Sequence, residues 1–119
     1  MANPNIVNVQ SIYGTTASLS VPATLSALVT NAAASSTVIK VDTIMVSNND
    51  TSGHTVTVSL VRTVTQAGTY PISTNVSVPV GAVYDVLSKF VYLMEGDSIQ
   101  VSADTASKCT AVASYEVIS

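Results

Sequence analysis

From Val56 to Leu60 the chain alternates strictly, with Val56, Val58 and Leu60 separated by Thr57 and Ser59. A period of two sends successive side chains to opposite faces of a strand, so one face is buried and the other is wet. The same pattern recurs along the chain. Val7 and Val9 alternate with Asn8 and Gln10. Gly14-Thr15-Thr16 interrupts that run before Ala17, Leu19 and Val21 alternate with Ser18 and Ser20. Ile99, Val101 and Ala103 alternate with Ser98, Gln100 and Ser102, and Ala111, Ala113, Tyr115 and Val117 share one face. Tyr70, Ile72, Thr74, Val76 and Val78 also share a face, and Pro71, which lacks a ladder donor, puts that segment at an edge or at a strand start. Val38, Ile39, Val41, Ile44, Met45 and Val46 are apolar on both faces. That predicts a central strand, bulged near Asp42 and Thr43.

Turn chemistry punctuates these runs. Pro22 ends one, and Leu25, Leu28 and Val29 suit a short strand or a helical turn. Asn31 to Thr37 reads as a connection. Asn48 to Gly53 is the clearest turn, because Asn and Asp bond their own backbone and Gly accepts positive φ. It predicts an exposed tip and a hairpin between the strands on either side. Further turns fall at Gln66-Ala67-Gly68, Pro79 to Gly81, Met94 to Asp97 and Asp104 to Ser107. The expected fold is all-β: a single antiparallel β-sandwich or jelly roll of about eight strands. One domain spans 1–119, with residues 1–8 read as an extended N-terminal arm or as a first strand.

Composition supports this reading. Of 119 residues, 47% are hydrophobic and only 9% charged, and Val and Thr prefer pleated, half-buried surfaces. Disorder and coiled coils need far more charge. The four cations, Lys40, Arg62, Lys89 and Lys108, are too few and scattered to neutralise a phosphate backbone, so no nucleic-acid partner is expected. No apolar run reaches membrane-spanning length, and Met1 to Asn5 lacks the basic and apolar regions of a secretory signal. Synthesis in a host cytoplasm is the expectation. Exposed Ser- and Thr-rich strands with few lysines are weakly defended against edge pairing, so partner chains are expected to cover some edges.

The search for chemistry identifies no catalytic, cofactor-binding or metal-binding residues, and the protein is expected not to be an enzyme. His54 stands beside a turn with no second His and no nearby Cys, and is read as a surface residue. Cys109 is read as a small buried side chain. Glu95 and Asp97 flank Gly96 and are read as shaping a turn rather than as an acid–base pair. Asp50 with Asn48 and Asn49 does not meet a calcium-loop pattern. No nucleophile elbow and no glycine-rich phosphate loop is present.

Four segments carry a family resemblance: Met1-Ala2-Asn3-Pro4-Asn5-Ile6-Val7, Ile44-Met45-Val46-Ser47-Asn48, Val91 to Ile99, and Ser114-Tyr115-Glu116. Together they resemble small structural proteins of tailed bacteriophage virions, cyanophages above all. The resemblance implies a β-rich capsid decoration or cement protein on the capsid exterior. It would bridge neighbouring major capsid subunits as a trimer or dimer. The alternatives are a neck, tail or fibre-associated adaptor, or a carbohydrate-binding adhesin module using Tyr70, Tyr84 and Tyr92. The partner-contact segment is taken as Ala2, Asn3, Pro4, Asn5, Ile6 and Val7, small and polar enough to lie extended on a neighbour.

Overall fold

A computed structural model of the protein describes residues 11–119. The proposed contact segment Ala2 to Val7 lies outside the described residues. Nine strands follow in order: β1 (Ile12–Ser20), β2 (Ser26–Thr30), β3 (Val38–Asn48), β4 (His54–Arg62), β5 (Gly68–Val78), β6 (Val83–Asp85), β7 (Val91–Leu93), β8 (Asp97–Ala103) and β9 (Cys109–Ile118). One sheet runs β1-β9-β3-β6, with β7 also on β3, and the other runs β2-β8-β4-β5. β6 pairs Met45 to Ser47 and β7 pairs Ile39 to Val41, so they are two halves of one interrupted edge strand. All pairings are antiparallel. Two four-position sheets in this order form a jelly roll, the architecture expected from the sequence.

Successive strands mostly belong to opposite sheets. Only β4 and β5 are joined as a hairpin between sequential neighbours in one sheet. The hairpin expected across Asn48 to Gly53 does not form, because β3 and β4 lie in different sheets and that loop carries the chain over the end of the sandwich. A turn signal marks where a chain reverses, not which sheet it enters next.

β3 explains its own ambiguous pattern. Val41 pairs Tyr115 and Thr43 pairs Ser114, leaving Asp42 as an extra residue, the expected bulge. Ile39 and Val41 face inward before it, and Ile44, Val46 and Asn48 after it. The alternation is intact but its phase flips at Asp42. Apolar residues on both faces therefore reflect a phase change as well as a central position. Met45 faces out and is exposed.

β5 departs from the single-face expectation for the same kind of reason. Its register on β4 shifts twice, between Val56 and Val58 and between Val58 and Ser59. Val76 and Val78 keep their inward phase, whereas Ile72 is exposed. Asn75 adopts a φ of 49°, and its N–H bonds Thr57 Oγ1. Pro71 does lie on an edge strand. β1 runs through Gly14-Thr15-Thr16 without a break, pairing β9 residue for residue.

The core fills the space between the sheets. Val41, Ile44 and Val46 of β3 with Ala111 and Ala113 of β9 supply one wall; Val56, Val58, Ile99 and Val101 supply the other. Each buried valine or isoleucine contributes roughly 1.5–3 kcal/mol over its exposed state. Deleting Asp42 alone removes the extra residue and leaves Ile39, Val41, Ile44 and Val46 in one continuous inward phase, whereas deleting Asp42 and Thr43 together turns either Ile39 and Val41 or Ile44 and Val46 to solvent. The double deletion is expected to prevent cooperative folding, whereas Asp42→Ala should change stability by less than about 1 kcal/mol. Urea unfolding followed by circular dichroism distinguishes the two.

Candidate functional site

A chain that leaves one sheet for the other gives up its ladder partners at the crossing. The orphaned backbone groups must be satisfied by something else. At one end of the sandwich that task falls to Asn48, the last residue of β3, which is fully buried. Its amide donates to the carbonyls of Ser52 and Val78, each at 2.9 Å, and its Oδ1 accepts from the Asp50 N–H at 3.0 Å. Its backbone also exchanges bonds with Gly81 and Ala82. The expected exposed tip is therefore rooted: Asn49, Thr51, Ser52 and Gly53 are exposed, but Asn48 is not.

His54 stands beside this knot. It is 7% exposed, which corrects its reading as a surface histidine. Its Nε2 lies 2.7 Å from Asp50 Oδ2 and its Nδ1 2.8 Å from Asp104 Oδ1. Carboxylates only accept, so both ring nitrogens donate and the ring is an imidazolium. The Asp50 hydrogen bond, with help from Asp104 and against the cost of burial, raises the His54 pKa above its ordinary 6.5. Reciprocally, the His54 hydrogen bond and the Thr51 N–H lower Asp50 to about 2, with Lys108 adding attraction. Burial, then the charges of Asp104 and Asp50, push the neighbouring Cys109 thiol up. The sequence missed this cluster because Asp50 and Asp104 meet only when β3–β4 and β8–β9 cross at the same end.

The opposite end has an equivalent closure. Asn31, 2% exposed, donates to the carbonyls of Thr37 and Leu93, each at 3.0 Å, and accepts from Ser35 and Thr37. Its backbone bonds Gly96 and Asp97. Buried Asp97 accepts from Arg62 Nε at 3.1 Å and from the Met94 N–H at 3.0 Å. Gly96 has a φ of 84°, and a Cβ there would lie 2.5 Å from Val64 Cγ2, so only glycine fits the turn. Glu95 accepts from the Ser36 N–H at 2.7 Å. Glu95 and Asp97 thus hold the turn that their sequence position suggested.

Chemically, these clusters fasten loops. Both His54 nitrogens are engaged, so neither offers a lone pair to take a proton. Among the described residues no cavity opens, and no group of three His, Cys, Asp or Glu side chains is arranged to hold a metal. The three tyrosines considered for sugar contact do not converge. Tyr84 packs against the core, and Tyr70 donates to the Gln66 carbonyl at the β5 edge. Tyr92 stacks edge-on against Phe90 on the outer face of the other sheet, beside Lys40. That outer face carries Lys40 between Asp42 and Glu116, with Met45 and Val83 exposed further along.

No protein-family model matches the chain, and no curated protein does. Among solved structures, a protein of Bacillus endospore appendages, described as a novel family of disulfide-linked pili, aligns with a TM-score of 0.52. The alignment covers 91% of this chain and 85% of that one at 11% identity. At that identity the likeness shows a shared β-sandwich architecture.

Two predictions follow from the loop clusters. Asn48→Ala leaves the buried Val78 carbonyl and the part-buried Ser52 carbonyl without their donor and should cost on the order of 2–3 kcal/mol, while Asn49→Ala should stay within about 0.5 kcal/mol in urea unfolding. For His54, the folded-state pKa is raised, so its contribution is full below 6.5 and is lost as pH rises through the folded value. Asp50 is lowered, so its contribution is full above 3.8 and is lost as pH falls towards about 2. The stability deficit of His54→Gln should be largest between those limits and should shrink at alkaline pH, as read from urea midpoints across pH.

Proposed function

We propose that this protein is a structural subunit of a virion, acting as a capsid decoration protein that binds the outer shell and bridges neighbouring major capsid subunits. The observation that carries the reading is the surface. Both ends of the sandwich are closed by internal polar clusters, no cavity opens among the described residues, and broad, weakly charged sheet faces are left for contact. Such faces can be covered by another protein with little charge desolvation. The jelly roll is an architecture used by viral capsid proteins. The phage-like segments Ile44 to Asn48 and Val91 to Ile99 lie on β3 and across β7 and β8, so they are framework phrases of this fold.

The mechanism is mechanical. Each copy adds contacts across a boundary between capsid subunits, and many copies on a symmetric lattice turn a modest contact energy into a large resistance to separation. No reaction is required of the chain. A second reading, a neck, tail or fibre component, draws support from the endospore-appendage protein, which belongs to pili. Disulfide linkage of that kind has no accessible thiol here, since Cys109 is buried.

The test is to incubate the purified protein with capsid shells that lack it, then image the particles and count copies. Regular, saturable occupancy over the whole shell is the expected result. Absence of shell binding, with attachment to isolated tails instead, overturns the decoration role in favour of the second reading.

A further inference from the structure

The sandwich has four sheet edges, and they are not defended alike. An edge strand presents unpaired N–H and C=O groups and invites another chain unless it is short, bulged, charged or proline-bearing. β2 is five residues long and its register shifts on β8. β5 contains Pro71 and two register shifts. One edge of the other sheet is split into β6 and β7, three residues each. β1 has none of these devices. It runs for nine residues, Ile12–Ser20, in unbroken register with β9, without a charged residue or a proline.

We propose that β1 pairs antiparallel with β1 of a second copy of this chain, about a two-fold axis at Thr16, joining two sheets into one. The backbone phase supports it. Ser11 and Ser119 exchange both of their bonds, 3.0 and 2.9 Å. In an antiparallel ladder the bonded pairs alternate, so the even-numbered residues of β1 turn their N–H and C=O away from β9. Among the described residues no backbone group meets them. An axis at Thr16 places Thr16 opposite the partner's Thr16 and Gly14 opposite the partner's Ser18. Each is an even residue meeting an even residue, which is the phase a ladder needs.

The side chains agree with the same register. On the inner face, Tyr13 comes opposite the partner's Leu19, and Thr15 opposite the partner's Ala17. Leu19 and Ala17 already pack against the core, while Tyr13 is 56% exposed at the edge with its ring uncovered. Pairing would lay that ring along an apolar neighbour, a favourable cross-strand combination. No like charges meet at the axis, since β1 has none. The contact is isologous and closes on itself, so it makes a dimer and not a fibre. It does not depend on the shell-binding role, because it concerns the free protein.

Sedimentation of the full chain across a wide concentration range tests the pairing. A reversible dimer is expected. Thr16→Lys sets two ammonium groups face to face, and Thr16→Pro removes an outward donor. Thr16 is exposed, and neither its side chain nor its outward N–H bonds anything among the described residues, so both variants should be monomers with an unchanged circular dichroism spectrum. Thr69→Lys, on the defended β5 edge, should remain dimeric. A short bis-maleimide should join T16C, but not T69C, into a covalent dimer, which reads the register even if a bulkier substitution disturbs folding. A parent chain that is monomeric at every concentration overturns the proposal. So does a dimer or trimer that survives Thr16→Lys and Thr16→Pro, or the failure of T16C to cross-link.

Discussion

Almost every connection in this molecule leaves one sheet and enters the other, and backbone groups at a crossing have no ladder to join. That constraint organises both ends of the sandwich. Asn48 at one end and Asn31 at the other each take two backbone carbonyls that the crossing would leave bare. An amide suits the position because it offers two donors and an acceptor in one small plane. Leucine, branched in the same way, would strand the carbonyls, at about 1–3 kcal/mol each. The hydrophobic core between the sheets can be continuous because these two side chains close it.

Charge is used sparingly and in the same service. Asp97, almost fully buried, is tolerable because Arg62 and the Met94 N–H hold it. His54 is buried as a cation between two carboxylates drawn from different loops. In both places an ionic contact binds segments far apart in the chain: Arg62 to Asp97, and His54 to Asp104. Long-range closure of this kind goes with a topology in which few sequential strands pair, and it favours slow folding. It also concentrates pH sensitivity at the His54 end.

The surface reflects a different pressure. With so few charges, the sheet faces cannot rely on lysine to repel neighbours. Three of the four edges are interrupted by proline, bulges or strand breaks. Those irregularities cost ladder bonds within the chain, and their value lies in what they prevent outside it. Together with the closed ends, they leave the sheet faces and one uninterrupted strand, β1, as the accessible surface of the described residues.

Strand existence was legible in residues such as Val56 to Leu60, because alternation is a local property and burial on one face needs no knowledge of the partner. The bulge at Asp42 was legible too, since it breaks the period inside one strand. The turn chemistry at Asn48 to Gly53 and around Gly96 located the reversals. What local pattern could not carry was the destination of each reversal. Whether Asn48 ends a hairpin or a crossing depends on which sheet β4 joins, and that is decided by the best burial of all nine strands together. The double bulge of β5 likewise depends on fitting β4. For the same reason His54 looked like a surface turn residue: its partner Asp104 lies fifty residues away in sequence and arrives only when β8 crosses to β9. Sequence alone determined the class of structure and the positions of its strands, because period and turn chemistry act over a few residues. Tertiary structure alone decided the sheet order, the buried polar knots and which strand edge stays unpaired among the described residues, because these are properties of pairs brought together across the whole chain.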